Sequence, residues 1–116
     1  MADTNVNILV WNVRGLNSRA KHIDVRQVVA SSGACIIGLQ ETKLSVVSQY
    51  LLDEFLGPEF DSFFYLPATG TRGGIILAWK GAAVRLANPH VSSGAVTASV
   101  LAGSGGPWWI TIVYGP

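Results

Sequence analysis

Val6-Asn-Ile-Leu-Val-Trp-Asn12 and Ala34-Cys-Ile-Ile-Gly-Leu-Gln-Glu41 are the two stretches whose reading decides the fold. Val6 to Trp11 is a nearly continuous apolar run rich in β-branched residues, as expected of a strand covered on both faces, and it ends at Asn12. Ala34 to Leu39 is a second such run, closing on Gln40 and Glu41. Between them a loop, Val13 to Arg19, carries Gly15 and Asn17; Lys21 to Ser32 then places Val25, Val28 and Val29 at helical spacing before Gly33, a candidate C′ glycine. Strand, helix and strand of this length predict a βαβ unit with parallel strands. In the right-handed form both strands end on one edge of the sheet, where ligands settle in α/β folds. Asn12 ends one strand and Glu41 the other. A carboxamide and a carboxylate on neighbouring strands, about 4.8 Å apart, face one crevice and suit a hard cation and a phosphate oxygen. Arg14, Arg19, Lys21, Lys43 and Arg72, five of the eight basic residues, fall in loops expected around that edge, where they would hold a phosphate backbone.

Further along, Ser45 is a candidate N-cap for a second helix, with Val47, Leu51 and Phe55 at four-residue spacing and Leu52 and Leu56 widening the stripe before Gly57-Pro58 stops it. From Phe60 the pattern changes to short strands: Phe60 to Leu66, Gly73 to Lys80, Ala83 to Val91, Ala95 to Leu101 and Trp108 to Tyr114. Their spacing predicts antiparallel pairing. Gly103-Ser-Gly-Gly-Pro107 reads as a hairpin turn, since no helix follows it to make a phosphate loop.

With 116 residues the chain is one small domain at most. A hydrophobic share of 49% against 13% charged is rich for a soluble domain, so some apolar surface expects a partner. The net charge of +1 favours neither a nucleic-acid coat nor an acidic tail. Cys35, in an apolar run, reads as a buried thiol outside any disulfide framework, which fits a reducing compartment. The amino terminus lacks the features of a signal or transit peptide, and no apolar run approaches the roughly 18 residues of a membrane span. An intracellular protein, nuclear or cytoplasmic and without a membrane partner, is expected.

The runs Ile8-Leu-Val-Trp-Asn-Val-Arg-Gly-Leu-Asn17, Ile36-Ile-Gly-Leu-Gln-Glu-Thr-Lys43, Arg72-Gly-Gly-Ile-Ile-Leu-Ala-Trp79 and Ile110-Thr-Ile-Val-Tyr-Gly-Pro116, in this order, closely resemble the endonuclease/exonuclease/phosphatase superfamily. Within it the likeness is closest to the endonuclease domain of plant LINE-type non-LTR retrotransposons. The resemblance implies an α/β fold: the N-terminal half of a two-sheet, deoxyribonuclease I-like sandwich, with a mixed sheet and two helices on its outer face. The second sheet would come from a C-terminal half, leaving an apolar sheet face open to association. It implies Mg²⁺, with Mn²⁺ as the alternative, and DNA as substrate. Glu41 would be a metal ligand; Asn12 would join it at the metal, orient its carboxylate or contact the scissile phosphate. Tyr114 would offer its hydroxyl to a phosphate oxygen. The family's Asp-x-Asn pair, which positions or deprotonates the attacking water, and its late Asp-His pair are absent from residues 1–116, so the domain is partial and no cutting is expected from this chain alone.

Each residue also has a plainer reading. Glu41 could be a strand-end carboxylate paired with Lys43, and Asn12 a turn former. Tyr114 could only pack locally, Arg72-Gly73-Gly74 could be a turn entering a strand, and Arg14 and Lys43 could be solvated surface. The four tryptophans read mainly as core, with one of Trp108 and Trp109 exposed because neighbours on a strand face opposite ways. His22 and His90 have no ligand spacing and read as structural. A non-cutting nucleic-acid-binding or interaction remnant is the alternative function, and a small-molecule phosphatase the alternative within the superfamily.

Overall fold

Ile36, Ile37, Gly38 and Leu39 are all buried, so the strand they form has a layer on each face. The computed structural model describes residues 6–70, 72–92, 94–101 and 107–113. In chain order these form β1 (Ile8–Asn12), α1 (Arg19–Ser32), β2 (Ile36–Gln40), α2 (Gln49–Phe55), β3 (Ser62–Leu66), β4 (Ile75–Trp79), β5 (Arg85–Ser92), β6 (Ala95–Leu101) and β7 (Trp108–Val113). One sheet has the order β1-β2-β4-β3 and the other β5-β6-β7. β1 runs parallel to β2, with Ile8 opposite Ile36 and Asn12 opposite Gln40, as the βαβ reading requires. All other pairings are antiparallel.

Alternation along β2 and β4 assigns side chains to layers. Ile37 and Leu39, with Ile76 and Ala78, pack on Val25 and Val29 of α1 and Leu52 and Phe55 of α2. Ile36, Ile75, Leu77 and Trp79 point the other way and pack against Val96, Val100, Ile110 and Ile112 of the second sheet. At roughly 1.5–3 kcal/mol for each fully buried side chain, these two clusters outweigh the surface ion pairs. Both helices thus lie on one outer face, as expected.

Several expectations change. A second sheet, expected from a C-terminal half, is present among the described residues: β5 to β7 form three strands of it and cover most of the first sheet's inner face. What stays open on that sheet is mainly β1, where Ile8 and Val10 are exposed. The second helix starts later than predicted. Ser48, not Ser45, caps it, its hydroxyl accepting the Leu51 N–H at 3.2 Å. Leu44 and Val47 are both drawn into the core, and Val47 before the cap shares a cluster with Leu52 in the manner of a hydrophobic staple. Cys35 is half-buried rather than buried. The first helix ends as read, with Gly33 at φ 67°, but it starts at Arg19 rather than Lys21, with the Ser18 hydroxyl accepting from the Lys21 N–H. Trp79 is core, Trp11 is half-buried, and Trp108 and Trp109 are both exposed, Trp109 lying edge-on to His90.

The two sheets meet closely at Gly38. A Cβ built there would fall 2.5 Å from Ile112 Cδ1 and 2.9 Å from its Cγ1. Gly38→Ala is expected to destabilise the fold by about 1–3 kcal/mol through overpacking. Ile112→Val removes the nearer of those atoms, so urea unfolding of the double variant should show a smaller penalty for Gly38→Ala than the wild-type background does.

Asp61 joins the start of β3 to the turn after β4. Its Oδ1 accepts the Gly81 N–H at 2.9 Å and the Ser62 hydroxyl at 3.2 Å, and these bonds, the first foremost, hold its carboxyl below the usual carboxylate range. A depressed folded-state pKa stabilises above the unfolded value, about 3.9, and that stabilisation is lost as pH falls through the folded one. Asp61→Asn should therefore lower stability at pH 7, with the gap to wild type closing below pH 4.

Candidate functional site

β1 and β2 end side by side, and past its end β2 remains bonded on both flanks. On one side Val13 N–H donates to Gln40 O (3.1 Å), Gly15 N–H to Glu41 O (2.8 Å) and Leu16 N–H to Thr42 O (2.8 Å). On the other, Thr42 N–H donates to Gly74 O (3.2 Å) and Lys43 N–H to Gly73 O (2.5 Å). Between these flanks the backbone is forced into unusual shapes: Arg14, Glu41 and Lys43 have φ of 56°, 55° and 60°. Left-handed backbone costs a non-glycine residue on the order of 1–2 kcal/mol, so the surrounding hydrogen bonds must hold it. Apart from Asn88, these are the described non-glycine residues at positive φ, and such clustering is a mark of functional sites.

The side chains follow from that frame. Asn12 Nδ2 donates to Glu41 Oε2 at 3.2 Å, while Asn12 Oδ1 accepts the Arg14 N–H at 3.1 Å. The carboxamide is therefore fixed at both ends and turned towards the carboxylate. Lys43 Nζ lies 3.8 Å from Glu41 Oε1, and the Glu41 side chain keeps 30% of its exposure, enough for a ligand to reach it. Arg14 and Lys43 are exposed. Arg72 is half-buried, its Nη2 donating to Thr69 Oγ1 at 3.0 Å while its buried Nε has no hydrogen-bond partner among the described residues. Lys43, Ser45, Thr69, Arg72 and Gly73 line a recess of about 210 Å³ on this side of the sheet. Gln40 Nε2 donates to Val113 O at 3.0 Å and ties the end of β7 to the same edge. Tyr114 lies outside the described residues.

Other residues fall away from the edge. Arg19 and Lys21 belong to the first turn of α1, and Arg19 helps line a separate recess of about 420 Å³ with His22, Arg26 and Glu54. Glu54 sits 3.8 Å from His22 Nδ1, Asp53 accepts from Gln49, and Asp61 serves Gly81. Among the described residues, no three of His, Cys, Asp and Glu are grouped to hold a metal. The His22 ring packs on Phe55, its centroid 5.3 Å away, and Nε2 donates to Leu16 O at 2.6 Å, so it braces the loop leading away from Asn12. Among the described residues, His90 Nδ1 meets the Asn88 carbonyl at 3.0 Å, and the ring lies edge-on to Trp109. Sequence reading did not single out the part Thr42, Gly73 and Gly74 play in shaping the edge; the signal was Arg-Gly-Gly ahead of a strand, which a simple turn also satisfies.

The model of the endonuclease/exonuclease/phosphatase family matches residues 9–114, nearly the whole chain. The chain belongs to that family. No curated protein matches it. The two sheets and two helices described above are consistent with the deoxyribonuclease I-like fold, and membership points to nuclease or phosphatase chemistry. No described helix is long and apolar enough to cross a membrane.

Asn12→Asp tests the contact between the two side chains. It replaces the amide donor by a second carboxylate about as near to Glu41 as the amide is now. Like charges at that range should cost about 1–2 kcal/mol of stability at pH 7 in urea titrations, and raising the salt concentration should recover part of it.

Proposed function

We propose that this chain carries the first part of a magnesium-dependent DNA endonuclease site of the LINE-type retrotransposon kind, and that it does not cut DNA by itself. The observation that carries the reading is Glu41: an accessible carboxylate in a left-handed turn at the carboxyl edge of parallel strands, with Asn12 directing one of its oxygens. The donor set fits Mg²⁺, which keeps several waters and commonly takes one or two protein carboxylates together with substrate phosphate oxygens. Mn²⁺ suits the same oxygens. When bound, the ion would polarise a phosphoryl oxygen and stabilise charge developing on it.

The chain's own residues have separate tasks in this reading. Glu41 would hold the ion, and the amide of Asn12 would keep the carboxylate aimed while its oxygen stays engaged by Arg14 N–H. Lys43 would balance Glu41 in the absence of a cation. Arg14, Lys43 and Arg72 would receive phosphates of the DNA backbone, Arg72 through a guanidinium whose Nε lacks a partner among the described residues. Tyr114 follows β7, whose end Gln40 fastens to this edge, and is proposed as a further phosphate donor. The remaining steps need a base for water and a donor to the leaving oxygen, and the acidic and histidine side chains described above are engaged elsewhere. The open inner face of β1 would be a place for association.

Supercoiled plasmid incubated with the purified chain and Mg²⁺ is expected to stay uncut. Metal-dependent nicking that disappears in Glu41→Ala would overturn the claim of incompleteness while supporting the metal role. A binding assay separates the non-cutting remnant from a chain with no contact to nucleic acid. Binding should weaken linearly in log salt concentration, with a smaller slope after Arg14 and Lys43 are changed to Ala, and absence of binding at low salt would remove the DNA reading.

A further inference from the structure

We infer that Gly73 is a positioning residue for Glu41: the missing side chain at 73 is the space that the Glu41 α-carbon and side chain occupy. This rests on the metal reading of Glu41 for its functional meaning, though not for its geometry. A Cβ built on Gly73 would lie 2.8 Å from Glu41 Cγ, 3.1 Å from its Cα and 3.4 Å from its Cβ. Two of those atoms cannot swing aside as the end of a flexible chain would. The Cα is held by the bonds from Gly15 N–H to Glu41 O on one flank and from Thr42 and Lys43 N–H to the Gly74 and Gly73 carbonyls on the other. The Cβ follows the Cα, so a methyl group at 73 can be accommodated only by moving the Glu41 backbone or the 73–74 turn that supports it.

The neighbouring glycine makes the point sharper. Gly74 has φ +88° and its Cβ would also strike Thr42 Oγ1 at 2.7 Å, so glycine there answers a backbone need and a packing need together. Gly73 is not in the left-handed region, and the three nearest atoms that a side chain there would meet all belong to Glu41. The Arg-Gly-Gly run thus divides its work. Gly74 turns the chain, and Gly73 leaves room for the carboxylate residue to sit in its left-handed shape within reach of Asn12 Nδ2. A supporting group of this kind typically changes metal affinity by about 10–100-fold when altered.

The test uses the whole chain and three readouts. In the metal-free protein, Gly73→Ala should change the three-bond amide coupling of Glu41 and shift the Asn12 side-chain NH₂ resonances; both unchanged would overturn the inference whatever the metal does. In Mn²⁺ titrations, Gly73→Ala should bind at least about 10-fold more weakly than wild type, and equal affinity would also overturn it. Failure of wild type to bind Mn²⁺ would sink the metal reading alone, leaving the resonance readout to judge Gly73. Should Gly73→Ala unfold, the substitution is made in Glu41→Gly, which lacks both Cγ and Cβ and lets the backbone at 41 give way. A smaller loss of stability in that background supports the contact, and an equal loss in both overturns it.

Discussion

Everything at the site depends on β2 being paired on both sides for longer than it is a strand. As a central strand it bonds to β1 in parallel and to β4 in antiparallel fashion, and when its extended shape ends at Gln40 the partners do not let go. The loop after β1 continues along Glu41 and Thr42, and the turn before β4 continues along Thr42 and Lys43. Double pairing of a segment that is no longer regular is what lets two left-handed residues persist there. In a loop bonded on one side only, the 1–2 kcal/mol cost at each residue would favour relaxation.

The packing of the rest of the chain serves that pairing. β2 is apolar on both faces because helices cover one and the second sheet the other. Gly38 lets Ile112 settle on the inner face, and Gln40, two residues on, reaches the Val113 carbonyl. One strand therefore joins three layers and then hands its last residues to the site. On the outer face, the His22 bond to the Leu16 carbonyl fixes the far end of the loop that begins at Asn12.

How much of this was legible in the residues differs by element. The parallel β1 and β2 and the helix between them were plain, because both strands are apolar almost throughout and Gly33 marks the helix end, although only β2 is covered on both faces and the inner side of β1 is open. The start of α2 was misread since Ser45 and Ser48 are equally good caps in isolation; burial of Val47 decides between them, and burial is a tertiary property. The five later strands were located to within a few residues, but which sheet each joins was not, since antiparallel spacing is the same in either. Asn12 and Glu41 were found as strand ends. The left-handed backbone of Glu41 and Lys43 was invisible, because nothing in a Glu-Thr-Lys run signals positive φ; the glycines that permit it lie some 30 positions later, in a turn whose relevance appears only once β4 pairs with β2.

That separation bears on how such a carboxylate comes to be fixed at all. Glutamate has a flexible side chain, and one placed at an ordinary strand end would sample many positions, at a loss of conformational freedom whenever a cation required just one. Here the loss is met during folding. The α-carbon is set by the two flanking ladders, one carboxylate oxygen by Asn12, and Asn12 in turn by the Arg14 N–H, while the Lys43 ammonium stays near the other oxygen. The carboxylate is left neither free to wander nor buried too deeply to be reached, and a ligand that needs an oxygen in one place meets it there without ordering the chain first.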